Sequence, residues 1–125
     1  MIGAGPTEVR LASALWALLT AVLLLLPGSV LEPGRTLPSR LEEAVELTVH
    51  FVLFFVLAWL VARARGDAAA GAGARVTVAV IVAYCTALEF LQILVPNRGF
   101  ELLDIAFGWL GIWAGWRRAR AAADR

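Results

Sequence analysis

The chain lacks lysine and has only one cysteine and one histidine among its 125 residues. The single cysteine, Cys85, excludes an internal disulfide bond, and its place in an apolar run indicates a packing residue. All eleven basic residues are arginine, which together with many Ala, Gly and Leu residues is typical of a GC-rich bacterial genome. The net charge of +1 gives no reason to expect nucleic acid as a partner.

Charge is also missing from long stretches of the chain. These are 14–26, 49–62 and 76–88, while 102–116 carries only Asp104. The composition is 61% hydrophobic with a mean hydropathy of +0.80, more apolar surface than so small a soluble domain buries. With its flanks, each run reaches about 17–22 residues, enough to cross a ~30 Å hydrocarbon core. We therefore predict an all-α, four-helix transmembrane bundle forming one domain over 1–125, with spans near 8–27, 45–63, 75–95 and 100–117.

Local signals predict where the helices begin and end. Thr7 is a candidate N-cap for the first helix, and Ser39 to Glu42 fits a capping box for the second. Proline and glycine make 28–38 an irregular loop. The short turn 96–99 requires the third and fourth helices to be antiparallel neighbours. A cleaved signal peptide is the alternative to a first span, but no Ala-x-Ala site follows, so we expect the span to be retained.

The arginines predict the orientation of the spans, since cytoplasmic loops are enriched in them. A cytoplasmic N-terminus places eight arginines inside and three outside, and both termini are then cytoplasmic. The inside set is Arg10, Arg63, Arg65, Arg75, Arg117, Arg118, Arg120 and Arg125, and the outside set is Arg35, Arg40 and Arg98.

Ionisable side chains then gather in the outer half of the membrane. His50 lies near the outer end of the second helix, Glu89 near that of the third, and Asp104 in the first turn of the fourth. Charged groups at membrane depth cost about 2.5–3.5 kcal/mol each on insertion scales, so a chain that keeps several together is expected to use them. The predicted pocket residues are His50, Glu89, Gln92, Arg98, Asp104 and Glu46.

The fourth helix carries a stripe of small residues. Asp104, Gly108, Gly111 and Gly115 recur at a spacing that places them on one helical face. Gly111 and Gly115 form a GxxxG pattern, which permits close helix contact. We expect this face to pack against a neighbouring helix, with Asp104 pointing into the bundle.

Each polar residue also has a structural interpretation when taken alone. His50 can be a histidine hydrogen-bonded between helices, and Glu89 with Gln92 can hold two helices together. Arg98 can contact outer-leaflet phosphates, and Asp104 can cap its own helix. Their clustering on one side of the membrane favours a functional pocket.

From the second helix onward, the chain resembles the VanZ-like family of small bacterial membrane proteins. The resemblance covers about residues 39–116. It rests on the order and spacing of His50-Phe-Val-Leu-Phe54, Glu89-Phe-Leu-Gln92, Val95-Pro96-Asn97-Arg98, and Asp104 with Gly111 and Gly115. It implies a four-helix membrane protein, and the founding member of the family is linked to low-level teicoplanin resistance.

The chain departs from the family pattern at four positions. Glu46 stands where the family often has aspartate, and Leu47 replaces a usual basic residue. Phe54 replaces a frequent tyrosine, and Gly108 a common asparagine. The missing asparagine leaves the pocket with one polar group fewer, so the resemblance does not imply an identical ligand.

Three functions stay open. The favoured one is a multi-pass protein of the cell membrane whose outward-facing pocket binds an envelope amphiphile or glycopeptide, with Arg98 holding an anionic head group. The second is an enzyme using His50 and Glu89 as acid and base, although the chain has no nucleophile motif, HExxH or phosphate loop. The third is a structural bundle or a module that binds a membrane partner protein.

A divalent metal is possible in principle. His50, Glu89 and Asp104 are residue types that bind such ions. Taken alone, the sequence nevertheless predicts no metal and no cofactor, and its expected partners are the lipid bilayer and an amphiphilic ligand.

Overall fold

The computed structural model describes residues 4–28 and 39–125, which form four α-helices and one short 3-10 helix. The 3-10 helix, Gly66–Ala69, directly follows the second α-helix. The all-helical prediction is therefore confirmed for the described residues, while the predicted loop lies outside them from 29 to 38. The α-helices are α1 (Pro6–Leu25), α2 (Ser39–Arg65), α3 (Ala72–Gln92) and α4 (Leu102–Ala123).

The predicted N-cap of α1 is wrong. Gly5 is the N-cap and Pro6 is the first residue of the helix. Proline suits this position because an N–H there would have no partner within the helix, and because the fixed φ of proline is close to the helical value. The Gly5 N–H donates to the Glu8 carboxylate at 2.9 Å. The negative charge of Glu8 in the first turn also interacts favourably with the positive end of the helix dipole.

Helices α3 and α4 end at different residues from those predicted. α3 stops at Gln92 because the chain tightens beyond it, where the Leu94 N–H donates to Leu91 O at 3.0 Å and the Val95 N–H to Gln92 O at 3.1 Å. α4 continues to Ala123, beyond the predicted end near 117, because its Ala/Arg-rich end favours helix.

Three helices, α1, α2 and α3, are long and apolar enough to cross a membrane. α4 is not among them, because charged residues lie on both sides of its short uncharged stretch, 105–116. Asp104 precedes that stretch in the first turn, and arginines follow it. A fourth span therefore stays a prediction.

The surface of the helices suits a lipid environment. Large apolar side chains are exposed on all four helices, whereas His50, Glu89, Gln92 and Asp104 are buried. Ionisable side chains of membrane proteins face the protein interior in the same way. Examples of the exposed apolar side chains are Leu18, Val52, Val76 and Trp113.

Contacts between helices show their relative directions. Asp104 at the start of α4 lies beside His50, and Gly115 further along α4 lies against Phe55. α2 and α4 therefore run parallel. They also form the most extensive helix pair among the described residues, whereas α3 touches α2 only slightly.

The other two helices run the opposite way. The Glu101 N–H bonds to Glu89, and the Trp109 indole bonds to Thr86, so α3 and α4 are antiparallel neighbours, as predicted. The C-terminal part of α1 likewise contacts the C-terminal part of α3, where Gln92 bonds to Leu24. We call the end where α1 and α3 finish the polar end, and the opposite end the arginine end.

Glycines allow α4 to lie directly on α2. A Cβ at Gly111 would collide with the carbonyl oxygen of Phe51, and one at Gly115 with that of Phe55. Because these neighbours are backbone atoms, they cannot turn aside as a side chain can. This close packing brings Asp104, on the same face of α4, next to α2.

Candidate functional site

Three ionisable side chains from three helices meet in the interior at the polar end. His50 of α2, Glu89 of α3 and Asp104 of α4 have exposed fractions of only 2%, 2% and 5%. The Nε2 atom of His50 lies 3.4 Å from Glu89 Oε2, and its Nδ1 atom lies 3.7 Å from Asp104 Oδ1. We call these three residues the polar centre.

A backbone bond orients the imidazole of His50. Its Nδ1 atom lies 2.9 Å from the carbonyl oxygen of Glu46, one turn earlier in α2. A carbonyl oxygen only accepts, so Nδ1 carries the hydrogen and donates it. Glu46, predicted as a pocket residue, thus contributes to the site through its backbone carbonyl.

One carboxylate oxygen of Glu89 accepts a hydrogen bond from the start of α4. The backbone N–H of Glu101, the N-cap of α4, donates to Glu89 Oε1 at 3.2 Å. The other oxygen, Oε2, faces the imidazole of His50. The carboxylate therefore joins α4 to the polar centre.

Two buried atoms of the polar centre have no hydrogen-bond partner among the described residues. They are His50 Nε2 and Asp104 Oδ1. Buried polar atoms are nearly always hydrogen-bonded, and an exception calls for an explanation.

The donor atoms of the polar centre are close enough to share a metal ion. One ligand atom each from His50, Glu89 and Asp104 all lie within 4.8 Å of one another. An imidazole nitrogen with two carboxylate oxygens is a donor set for borderline divalent ions. The same three groups can alternatively share a proton between them.

Gln92 and Arg98 bind a different target, the C-terminal end of α1. The Gln92 amide donates to Leu24 O at 2.8 Å. Arg98 donates from Nε to Leu26 O at 3.1 Å and from one Nη to Leu23 O at 3.3 Å. The last carbonyl groups of a helix lack hydrogen-bond partners within the helix. The side chains of Gln92 and Arg98 therefore cap the C-terminal end of α1.

The turn between α3 and α4 places Arg98 for this role. Asn97 has a φ of 60°, in the left-handed region that asparagine tolerates better than most residues. The Arg98 N–H closes the turn by donating to Val95 O at 3.2 Å. The half-buried guanidinium then reaches back over α1 rather than the polar centre.

Two cavities lie at the opposite, arginine end. One of about 430 Å³ is lined by α2, the 3-10 helix and the end of α4, including Arg63 and Arg120. The other, of about 480 Å³, lies between Arg10 and Ser13 of α1 and Arg65. Neither includes a residue of the polar centre, which is an enclosed group of side chains.

Sequence reasoning missed the part that α1 plays at the polar end. The carbonyls of its leucine-rich end accept the bonds from Gln92 and Arg98, and backbone groups leave no mark in a residue pattern. It also missed the wholly buried Thr20 and the hydroxyl of Tyr84, which donates to Ala17 O. Neither lies in a recognisable motif.

No protein-family model, curated protein or solved structure matches this chain. The described residues thus define a helical protein with three possible membrane spans and a buried ionisable centre. The resemblance to the VanZ-like family is a similarity of residue pattern, which none of these comparisons tests.

Proposed function

We propose that the protein is a VanZ-like, multi-pass protein of the bacterial cell membrane that binds an amphiphilic envelope ligand at its outward-facing polar end. In this proposal it is a four-helix transmembrane bundle with both termini in the cytoplasm, and it contributes to glycopeptide resistance. The observation that carries the proposal is that His50, Glu89 and Asp104 are buried together between helices whose outer surfaces are apolar.

A purely structural centre accounts poorly for this arrangement. Interhelical hydrogen bonds in membranes stabilise by only about 0.6 kcal/mol on average, while each charged group at membrane depth costs several times more. Two carboxylates and an imidazole are therefore an inefficient means of joining helices. Function is the better reason for keeping them.

Arg98 is the residue that we propose to hold the head group of the ligand. Its guanidinium is half-buried and bonds to neutral carbonyls at the end of α1. An anionic phosphate or carboxylate makes stronger, charge-assisted bonds to arginine than a carbonyl does. A ligand that displaces these carbonyls releases the end of α1 and opens a route to Gln92 and Glu89.

The orientation is tested with reporter fusions. Fusions at Gly71, between α2 and α3, and at the C-terminus should both report the cytoplasm, because the arginine excess lies at that end. The control is a fusion after Asn97, in the turn at the polar end, which should report the outside. A cytoplasmic signal at Asn97 would place the polar centre on the wrong side for an envelope ligand.

The ligand proposal is tested by susceptibility to teicoplanin in a sensitive bacterial host. Expression of the wild-type chain should raise the inhibitory concentration, and Glu89→Gln, Asp104→Asn and Arg98→Ala should each abolish the increase. Combining two of them should add little, because residues that act as a unit are strongly non-additive. Protein level and membrane insertion are measured in parallel.

Glu43→Gln is the matched control, since Glu43 is an exposed carboxylate at the polar end. It should keep the wild-type phenotype. Full function in all three site variants would end the ligand proposal. A phenotype that only follows protein abundance would show that the polar centre is structural.

A further inference from the structure

We propose that the polar centre binds a divalent transition-metal ion, with Zn²⁺ as its preferred occupant, through His50 Nε2, Glu89 and Asp104. This departs from the sequence-based expectation of no metal. It also goes beyond the proposed function, because metal binding at these residues does not depend on which ligand the protein recognises.

The first support is the state of the His50 ring. Its Nδ1–H donates a hydrogen bond to the Glu46 carbonyl, so in the neutral imidazole Nε2 carries a lone pair. Histidines that bind metal nearly always donate their other ring N–H to a carbonyl or carboxylate in this way. The backbone of α2 thus holds Nε2 in the form and direction that a metal requires.

The second support is what faces that lone pair. Nε2 is buried, has no hydrogen-bond partner among the described residues, and lies 3.4 Å from the Glu89 carboxylate oxygen. Two lone pairs at this distance repel unless a proton or a metal ion lies between them. Asp104 Oδ1, the other buried atom without a partner among the described residues, lies 3.7 Å from the second nitrogen of the same ring, Nδ1.

The spacing of the donors suits a zinc ion. With zinc–nitrogen and zinc–oxygen bonds of about 2.0–2.2 Å, neighbouring ligands in a tetrahedral site lie about 3.4 Å apart. Nε2 and Glu89 Oε2 are 3.4 Å apart. The full set of three donors lies within 4.8 Å, so a pair at that upper limit has to close by about 1.4 Å to reach tetrahedral spacing.

The charge of a divalent ion also fits the surroundings. Two carboxylates buried close together repel, and removing them from water is costly. One divalent cation neutralises both and leaves the centre without net charge at membrane depth. Three protein ligands leave a fourth position, the arrangement of zinc sites that bind a further oxygen ligand.

Metal binding is tested on the full chain, purified in detergent with a histidine-free affinity tag and stripped with a chelator. We expect about one Zn²⁺ per chain after titration and desalting. His50→Gln, Glu89→Gln and Asp104→Asn should each weaken Zn²⁺ binding by about tenfold or more. Removing a residue that only hydrogen-bonds to a metal ligand already lowers affinity by about tenfold, and removing a ligand should cost at least as much. Glu43→Gln, which removes an exposed carboxylate, should bind Zn²⁺ like the wild type.

X-ray absorption at the zinc edge of the wild-type protein keeps the test independent of how the variants fold. It should show one imidazole and otherwise oxygen ligands at about 2.0–2.2 Å, with no sulfur. Failure of the folded wild type to retain Zn²⁺, equal binding in well-folded site variants, or sulfur ligation would each overturn the proposal. All of these measurements use purified protein, so their outcome is separate from that of the teicoplanin assay.

Discussion

Gly115→Leu should leave little folded protein in detergent. A Cβ at this position already collides with the carbonyl oxygen of Phe55, and a leucine extends the collision along α2. Overpacking of this kind costs about 3 kcal/mol or more where the neighbour cannot move. Because α2 and α4 form the main helix pair of the described residues, their separation should affect the whole fold. The readouts are yield of monodisperse protein and thermal melting.

Ala106→Leu is the matched control, because Ala106 is an exposed residue of the same helix. The same side chain added there should leave yield and melting temperature near the wild-type values. Gly111→Leu should reproduce the loss, since its Cβ meets the Phe51 carbonyl. If Gly115→Leu melts like the wild type, α4 does not lie against α2 at this point.

His50→Leu should be the most destabilising single change in the polar centre. It removes the group that faces both buried carboxylates, and an uncompensated buried charge costs about 3–5 kcal/mol. Adding Glu89→Gln removes one of the stranded charges, so the double variant should lose less stability than the sum of the two single variants. A coupling of about 0.5–3 kcal/mol is expected between contacting residues. The measurement is the free energy of unfolding in detergent with chelator present.

A distant pair provides the control for this coupling. Thr77 of α3 bonds to Gly73 near the arginine end, about 18 Å along the helix from Glu89 at 1.5 Å per residue. Thr77→Val combined with His50→Leu should therefore be additive. Strict additivity of the His50 and Glu89 changes as well would mean that these side chains do not interact.

The helical class of the protein and the end of the helices at which its polar residues lie could be predicted from residue order. Uncharged runs predict α1, α2 and α3 because the cost of placing charge in lipid acts on composition directly. Counting residues from the turn at 96–99 places Glu89 and Asp104 at one end, since the helical rise is constant. His50 follows from the start of α2 by the same count.

Residue order alone did not identify the hydrogen-bond partners at that end. It grouped Gln92 and Arg98 with His50, because all three share a depth. In the structure Gln92 and Arg98 bond instead to α1, at Leu24 and Leu26. Depth is set along one helix, whereas the partner is set by the rotation of that helix against its neighbours.

By itself, then, the sequence determined the number and approximate places of the helices and the end at which ionisable groups collect, because these depend on local propensity and on the grouping of apolar and charged residues along the chain. Only the tertiary structure decided that His50, Glu89 and Asp104 converge while Arg98 completes α1. That choice depends on how closely α2 and α4 approach at Gly111 and Gly115, a contact between backbones far apart in the chain. The distance between donor atoms, and with it the capacity to hold a metal, follows from that packing.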